Sequence, residues 1–260
     1  MVKILEMVNL SYKDFNNINM SFEDKTYYSI IGSNNCGKTT LFRLISGIIP
    51  SNNVIMCNNI MLNRENVHNY IVNIGIVERV NKKSFIFNSI VDEMTYPLHN
   101  LGYNKKKCLT RINEVLELFN ESKMIDKNIS ELNYYEKQLL LIMIAILHKP
   151  RVLLLDSVLC VFSRKAKNKI INVLRKLDIT IINFTNSLEE SYDSNKLILL
   201  DKYKVIGEYT TSDIYNDDKF FYEHGLEIPF MTDLSIKLKM YGLVDREYAN
   251  MKAMVDDIWP

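Results

Sequence analysis

The chain has 260 residues, a formal net charge of +1 and 47% hydrophobic residues. This length accommodates one α/β domain with a small appendage, and excludes a third large domain. A net charge this close to zero creates no global field for nucleic acid or anionic lipid, so we expect no nucleic acid partner. The four cysteines lack C-x-x-C spacing, which predicts reduced thiols.

The first part of the chain predicts a phosphate-binding loop. Strands are predicted over Lys3–Leu10, Ile18–Phe22 and Thr26–Ile31, and the following G-S-N-N-C-G-K-T fits G-x-x-x-x-G-K-[ST] before a helix from about Lys38 to Ile48. Backbone amides of such a loop bind the β- and γ-phosphates at a helix N-terminus. The predicted nucleotide-binding residues here are Gly32, Ser33, Asn34, Asn35, Cys36, Gly37, Lys38, Thr39 and Thr40.

The middle of the chain predicts a helical insert and a second functional strand. Val54–Met61 and Ile71–Val77 are strand-like, and helices are predicted over Asn104–Phe119 and Tyr134–Leu147, within an insert of about 84–150. Val152–Asp156 is typical of a strand buried on both faces of a parallel sheet. P-loop NTPases place a Mg²⁺-binding carboxylate at the end of such a strand, so Thr39 and Asp156 are the predicted metal ligands, an Asp that caps a turn being the alternative.

The remaining elements complete an α/β fold. Strands are predicted over Ile179–Phe184, Leu197–Asp201 and Lys204–Glu208, with a helix over Lys165–Leu177, which indicates a doubly wound core. A cap signal at 211–213 and a helix that ends at Gly242 predict a helical tail. We therefore predict a nucleotide-binding domain over 1–210 and a tail over 211–260.

One further motif resembles a known family. The stretch L-N-Y-Y-E-K-Q, residues 132–138, precedes a helix, Lys149-Pro150 and the Leu-Leu-Leu-Asp strand, an order that resembles ABC ATPases over nearly the whole chain. The resemblance implies an ABC-type P-loop core with an antiparallel β part, and adenine stacking by Tyr12, although strands favour Tyr in any case. It also implies a signature loop that completes the phosphate loop of a partner, made of Leu132, Asn133, Tyr134, Tyr135 and Glu136.

A narrower resemblance concerns 225–234, Ile74–Val77 and Phe85–Phe87, which are similar to energy-coupling factor (ECF) ATPases of vitamin and metal-ion importers. It implies ATP and Mg²⁺ as cofactors, a second ABC ATPase paired through the tail, and a transmembrane coupling subunit on which the helical insert docks. A separate membrane subunit would bind the substrate. The expected location is the cytoplasmic face of the membrane, through these partners.

The motifs depart from the family at the positions that handle protons. Ser157 replaces the catalytic Glu, Asn186 replaces the switch His, and the glutamine that links the site to the insert appears as Arg79 or, one position earlier, as Glu78. Positioned acid–base groups contribute about 10²- to 10⁴-fold in rate, whereas cradling of phosphates needs no base. We therefore expect a subunit that binds ATP and hydrolyses it slowly.

Two other interpretations remain open at this point. A pseudo-ATPase would use ATP only as a structural or regulatory ligand, and compositional drift would leave the departures without a mechanism. A P-loop kinase or GTPase is disfavoured, because no guanine-specifying Asn-Lys-x-Asp motif follows a strand.

Overall fold

The computed structural model describes residues 2–51, 54–210, 223–224, 226, 229–245, 248 and 251–258, and its strands form two sheets. The smaller sheet is antiparallel with the order β2-β1-β4-β5, and the larger has the order β10-β9-β3-β8-β7-β6. The strands are β1 (Lys3–Tyr12), β2 (Phe15–Glu23), β3 (Tyr27–Ile31), β4 (Ile55–Cys57), β5 (Ile60–Met61), β6 (Ile74–Val77), β7 (Val152–Asp156), β8 (Thr180–Thr185), β9 (Lys196–Asp201) and β10 (Lys204–Tyr209).

The larger sheet is the structural core. All its neighbouring strands run parallel except β10, which is antiparallel to β9. Every residue of β3 and β8 is buried, as are the first four of β7, because helices cover both faces of a parallel sheet. The predicted α/β core with an antiparallel part is thus confirmed.

Helices follow the strands and form the insert. In chain order they are α1 (Lys38–Ile45), α2 (Val67–Ile71), α3 (Ile90–Asn100), α4 (Lys105–Phe119), α5 (Tyr134–Ala145), α6 (Arg164–Arg175), α7 (Leu188–Ser191), α8 (Phe230–Met240) and α9 (Met251–Ile258). Helices α3, α4 and α5 share one apolar cluster that includes Met94, Ile112 and Leu140. In the described part of the chain, no helix has the length and apolar character needed to span a bilayer.

Two sequence predictions were wrong in detail, and one helix was missed. Val54–Met61 is a hairpin rather than one strand, because Asn58 and Asn59 both adopt left-handed φ values between β4 and β5. The segment Ile71–Val77 begins with the last residue of α2, and its strand starts only at Ile74. Helix α3 was not predicted, since Pro97 lies inside it, although Ser89 Oγ caps Asp92 N at 3.2 Å.

The described part of the tail contains α8 and α9. Val244, Tyr248 and Met254 form a small apolar cluster between them, and Gly242, with φ +67°, follows α8 as predicted. The predicted cap at 211–213 lies outside the described residues, as do three positions of the 225–234 motif, namely 225, 227 and 228.

Arg111 on α4 fixes the end of α5. Its side chain is largely buried and donates from Nε to Leu147 O at 2.8 Å and from Nη2 to Ile146 O at 3.1 Å. These carbonyls follow the last turn of α5. Lys149 N also donates to Ile146 O at 3.1 Å, whereas Leu147 O receives its bond from Arg111. Arg111 thus anchors the helix that carries the predicted signature loop.

We expect Arg111→Met to lower the free energy of unfolding by about 1 to 3 kcal/mol, because the buried carbonyl oxygen of Leu147 loses the donor that Arg111 supplies. Chemical denaturation of the purified chain measures the change. Lys106→Met, which alters an exposed residue of the same helix, is the matched control and should change stability by less than about 0.5 kcal/mol. Equal losses in the two variants would contradict the role assigned to Arg111.

Candidate nucleotide-binding site

The phosphate loop, Asp156, Ser157 and Asn186 converge at one edge of the larger sheet. Strands β3, β8 and β7 are neighbours, and the carboxyl ends of parallel strands meet at the edge where α/β proteins bind ligands. The phosphate loop follows β3, Asp156 ends β7 and Asn186 follows β8. Together they form an open cavity of about 330 Å³. Its lining residues are Asn34, Asn35, Gly37, Lys38, Thr39, Thr40, Asp156, Ser157, Asn186 and Tyr203.

Two glycines are required by the shape of the phosphate loop. A Cβ at Gly32 would lie 2.1 Å from Leu200 O, so the loop can leave β3 beside β9 only with glycine there. Gly37, directly before α1, has φ +110°, which L-residues rarely adopt. Asn35 also has a left-handed φ, +63°, which Asn tolerates well. These backbone conformations are compatible with the phosphate-binding loop that the sequence predicts.

Lys38 lies at the centre of this loop. It is 8% exposed, and its ammonium donates to Gly32 O at 2.7 Å and to Ser33 O at 2.8 Å, with Cys36 Sγ at 3.5 Å. Gly32, Ser33 and Cys36 thus position the ammonium, while Asn34, Asn35 and Gly37 line the cavity with it.

Thr39 and Asp156 face one another. Thr39 Oγ1 lies 3.4 Å from Asp156 Oδ2, and Ser157 Oγ lies 3.3 Å from Asp156 Oδ1. Burial raises the pKa of Asp156, while Ser157 and Thr39 oppose this shift by donating to its carboxylate. Among the described residues no cluster of three or more His, Cys, Asp or Glu could hold a metal ion. A hydroxyl and a carboxylate do suit Mg²⁺, which keeps waters and takes phosphate oxygens as its other ligands.

Position 157, where an ATPase would need a general base, is occupied by a serine. Ser157 has φ +54°, and its carbonyl accepts from Arg79 Nε at 2.6 Å. The Arg79 guanidinium also donates to Cys160 Sγ at 2.7 Å. A cation therefore lies beside the residue that stands where a catalytic Glu is expected.

Gln138 on α5 holds the segment that carries Arg79. Its buried amide donates to Glu78 O at 3.1 Å and accepts from Val80 N at 2.9 Å, whereas the Glu78 residue is exposed. Of the two candidates for the linking position, Arg79 is the one whose side chain reaches the strand end at 157. Gln138 had no assigned role in the sequence prediction, although it is the last residue of the signature-like stretch.

Asn186 contacts the phosphate loop. Its Nδ2 donates to Asn34 Oδ1, so two amides meet across the mouth of the cavity. An amide can donate and accept hydrogen bonds but cannot transfer a proton as a histidine does.

The predicted signature loop lies at the start of α5, and two of its residues cap the N-terminus of this helix. Asn133 Oδ1 accepts from Glu136 N at 3.0 Å, and Glu136 Oε2 accepts from Asn133 N at 2.9 Å, which is a complete capping box. The bond from Asn133 N and the nearby Lys127 lower the pKa of Glu136. Tyr134 and Tyr135 are exposed and lie edge to face with 6.4 Å between ring centroids, while Leu132 is buried. None of the five lines the cavity of this chain.

Two tyrosines differ in their position relative to the cavity. Tyr12 lies at the end of β1 with the Lys13 ammonium 5.6 Å from its ring centroid, outside the residues that line the cavity, so adenine stacking by Tyr12 stays a prediction. Tyr203, in the turn between β9 and β10, does line the cavity. Sequence reasoning missed it, because only the pairing of β9 with β3 brings this turn to the phosphate loop.

Comparisons with known proteins agree with this geometry. A family model described as ABC transporter matches residues 15–159. The energy-coupling factor transporter ATP-binding protein EcfA of Pediococcus pentosaceus is 28% identical over 256 residues, which cover 94% of this chain and 91% of that protein. EcfA of Enterococcus faecium is 23% identical over 267 residues, with coverages of 98% and 96%.

The fold has solved counterparts. The structure of cbiO1 from Clostridium perfringens, part of the ABC transporter complex cbiONQ, has a TM-score of 0.76 at 21% identity and covers 89% of this chain and 98% of its own. The predicted ABC and ECF resemblance is therefore confirmed. Since the family model matches more than half of the sequence, this chain belongs to the ABC transporter family, and it is similar over nearly its whole length to energy-coupling factor ATP-binding proteins.

Proposed function

We propose that this chain is an ATP-binding subunit that couples nucleotide binding in an ATPase dimer to uptake through membrane partner subunits. The observation that carries the proposal is the convergence of the phosphate loop, Lys38 and the Thr39–Asp156 pair on one cavity. Backbone amides and Lys38 would hold the phosphates of ATP, and Thr39 and Asp156 would hold Mg²⁺ between them. The names of the EcfA relatives support the transport role.

Hydrolysis at this chain's own site is proposed to be slow. Ser157 and Asn186 stand where the family resemblance implies a Glu and a His, and neither side chain can act as a general base. Arg79 also places a positive charge beside Ser157. A second, more orthodox ATPase subunit would then perform most of the turnover.

A patch on the helical insert is proposed to dock on the membrane coupling subunit. Ile86, Phe87 and Tyr96 are 68%, 38% and 45% exposed, and the rings of Phe87 and Tyr96 lie 5.6 Å apart. Glu93 fixes the segment, since its Oε2 accepts from Ile86 N and Phe87 N at 2.9 and 2.7 Å. Exposed apolar side chains on a rigid backbone are typical of interaction sites.

Calorimetric titration with ATP, in Mg²⁺ and in EDTA, tests the cofactor assignment. Lys38→Ala is expected to weaken binding about 10- to 100-fold under both conditions, because a charge-assisted contact to phosphate is lost. Asp156→Asn should remove the difference between the two conditions while preserving binding in EDTA. Lys204→Ala, an exposed lysine on β10, is the control. Absence of ATP binding by the unmodified chain would refute the proposed function.

Co-purification with a second ATPase and a membrane coupling subunit tests the docking patch. Ile86→Asp combined with Phe87→Asp should reduce recovery of the membrane subunit at least about tenfold, since charges at a desolvated contact are costly. The matched control is Leu109→Asp with Leu118→Asp, two exposed leucines of α4, which should leave recovery unchanged. Unchanged recovery of the patch variant, with ATP binding intact, would place the docking surface elsewhere.

ATP turnover in the assembled complex tests the missing-base argument. Ser157→Glu with Asn186→His should give only a small gain, because Arg79 would pair with the new carboxylate; adding Arg79→Gln should raise turnover by about 10²-fold. The control replaces Ser157 by Gln in the same triple background, which adds similar volume without a base. No gain in the triple variant, or an equal gain in its Gln control, would contradict the argument.

A further inference from the structure

The turn between β9 and β10 is strained at two consecutive residues. Lys202 and Tyr203 have φ values of +44° and +62°, the conformation that two-residue hairpin turns require and that Asn-Gly normally supplies. A bulky side chain at positive φ is an outlier that costs free energy, and such outliers concentrate at functional sites.

The strained turn is fixed against the phosphate loop. Tyr203 N donates to Cys36 O at 2.9 Å, and the Tyr203 ring meets the buried Phe15 ring edge to face, with centroids 5.2 Å apart. A Cβ added at Gly37 would lie 2.8 Å from Tyr203 Cδ1 and 2.7 Å from Phe15 Cζ. The ring therefore lies directly on the last glycine of the loop, beside the N-terminus of α1.

The chemistry of the cavity wall distinguishes Tyr203 from its neighbours. The other described lining residues carry amides, hydroxyls, the Lys38 ammonium and the Asp156 carboxylate, which suit phosphate and metal. Tyr203 is the aromatic residue among them. The flat face of an aromatic ring stacks on any base and packs on apolar ribose surface.

We propose that Tyr203 forms the wall of a nucleoside subsite, against which the base and ribose of the bound nucleoside triphosphate pack. The subsite adds an aromatic contact from the turn between β9 and β10, separate from Tyr12 on β1, and it rests on the proposed function of ATP binding. Its backbone strain is balanced by the bond to Cys36 O and by the contact with Phe15.

Calorimetry with two probes, ATP and inorganic tripolyphosphate, both with Mg²⁺, tests the subsite. Tyr203→Gly should weaken ATP binding about tenfold and change tripolyphosphate binding less than twofold, because only the nucleoside loses a contact. Glycine suits the left-handed φ, so the turn is expected to keep its shape. The relief of backbone strain offsets the lost contact with Phe15, so the melting temperature of the chain is expected to change little. Tyr203→Phe, which returns the ring, should restore the ATP affinity.

Lys202→Gly is the matched control, because it makes the same backbone change next door and leaves the ring in place. It should bind both probes as the unmodified chain does. Unchanged ATP affinity in Tyr203→Gly, or an equal loss for both probes, would overturn the subsite while leaving ATP binding itself intact. An unmodified chain that binds neither probe would overturn the proposed function, and the subsite with it.

Discussion

The close approach of the phosphate loop to the end of β9 is the constraint on which the site depends. Gly32 passes the carbonyl of Leu200 with no room for a side chain, and this contact exists because β3 lies between β8 and β9 as a buried parallel strand. The loop then turns back, and Lys38 donates to the carbonyls of Gly32 and Ser33. Sheet pairing, loop shape and the position of the ammonium are therefore parts of one arrangement.

Charge is distributed unevenly around this loop. Within the described cavity lining, Lys38 supplies the cation and Asp156 the carboxylate, and burial raises the pKa of the latter. Arg79 adds a second cation just behind Ser157. These cations favour bound phosphate, whereas the side chains of Ser157 and Asn186 are not general bases as a Glu and a His would be. The proposed ATP binding and the proposed slow hydrolysis would thus both follow from this set of residues.

The start of α5 has a separate electrostatic character. Its N-terminal amides would attract an anion, yet Asn133 and Glu136 cap one another there, and Glu136 also pairs with Lys127 at 3.2 Å. The exposed rings of Tyr134 and Tyr135 lie next to this cap, at the positions where the predicted signature loop implies glycines. In the proposed ATPase dimer, this loop would meet the nucleotide of the partner subunit less closely than a glycine-rich loop, because a Cβ and a ring keep the backbone back.

The sequence by itself determined the local parts: the phosphate loop, because Gly, Lys and Thr at that spacing permit few other structures, and the buried strand that ends in Asp156, because an all-apolar run before a carboxylate suits a parallel sheet. The capping pair at the start of α5 is equally local, because Asn133 and Glu136 lie three residues apart, but it was recognised only in the structure.

Only the tertiary structure decided which distant groups meet. The contact of Arg79 with position 157, the bonds of Gln138 to the segment around Glu78, and the place of Tyr203 over Gly37 join residues far apart in the chain. Strand order and helix packing set those distances, and neither is encoded in the local periodicity that sequence patterns report.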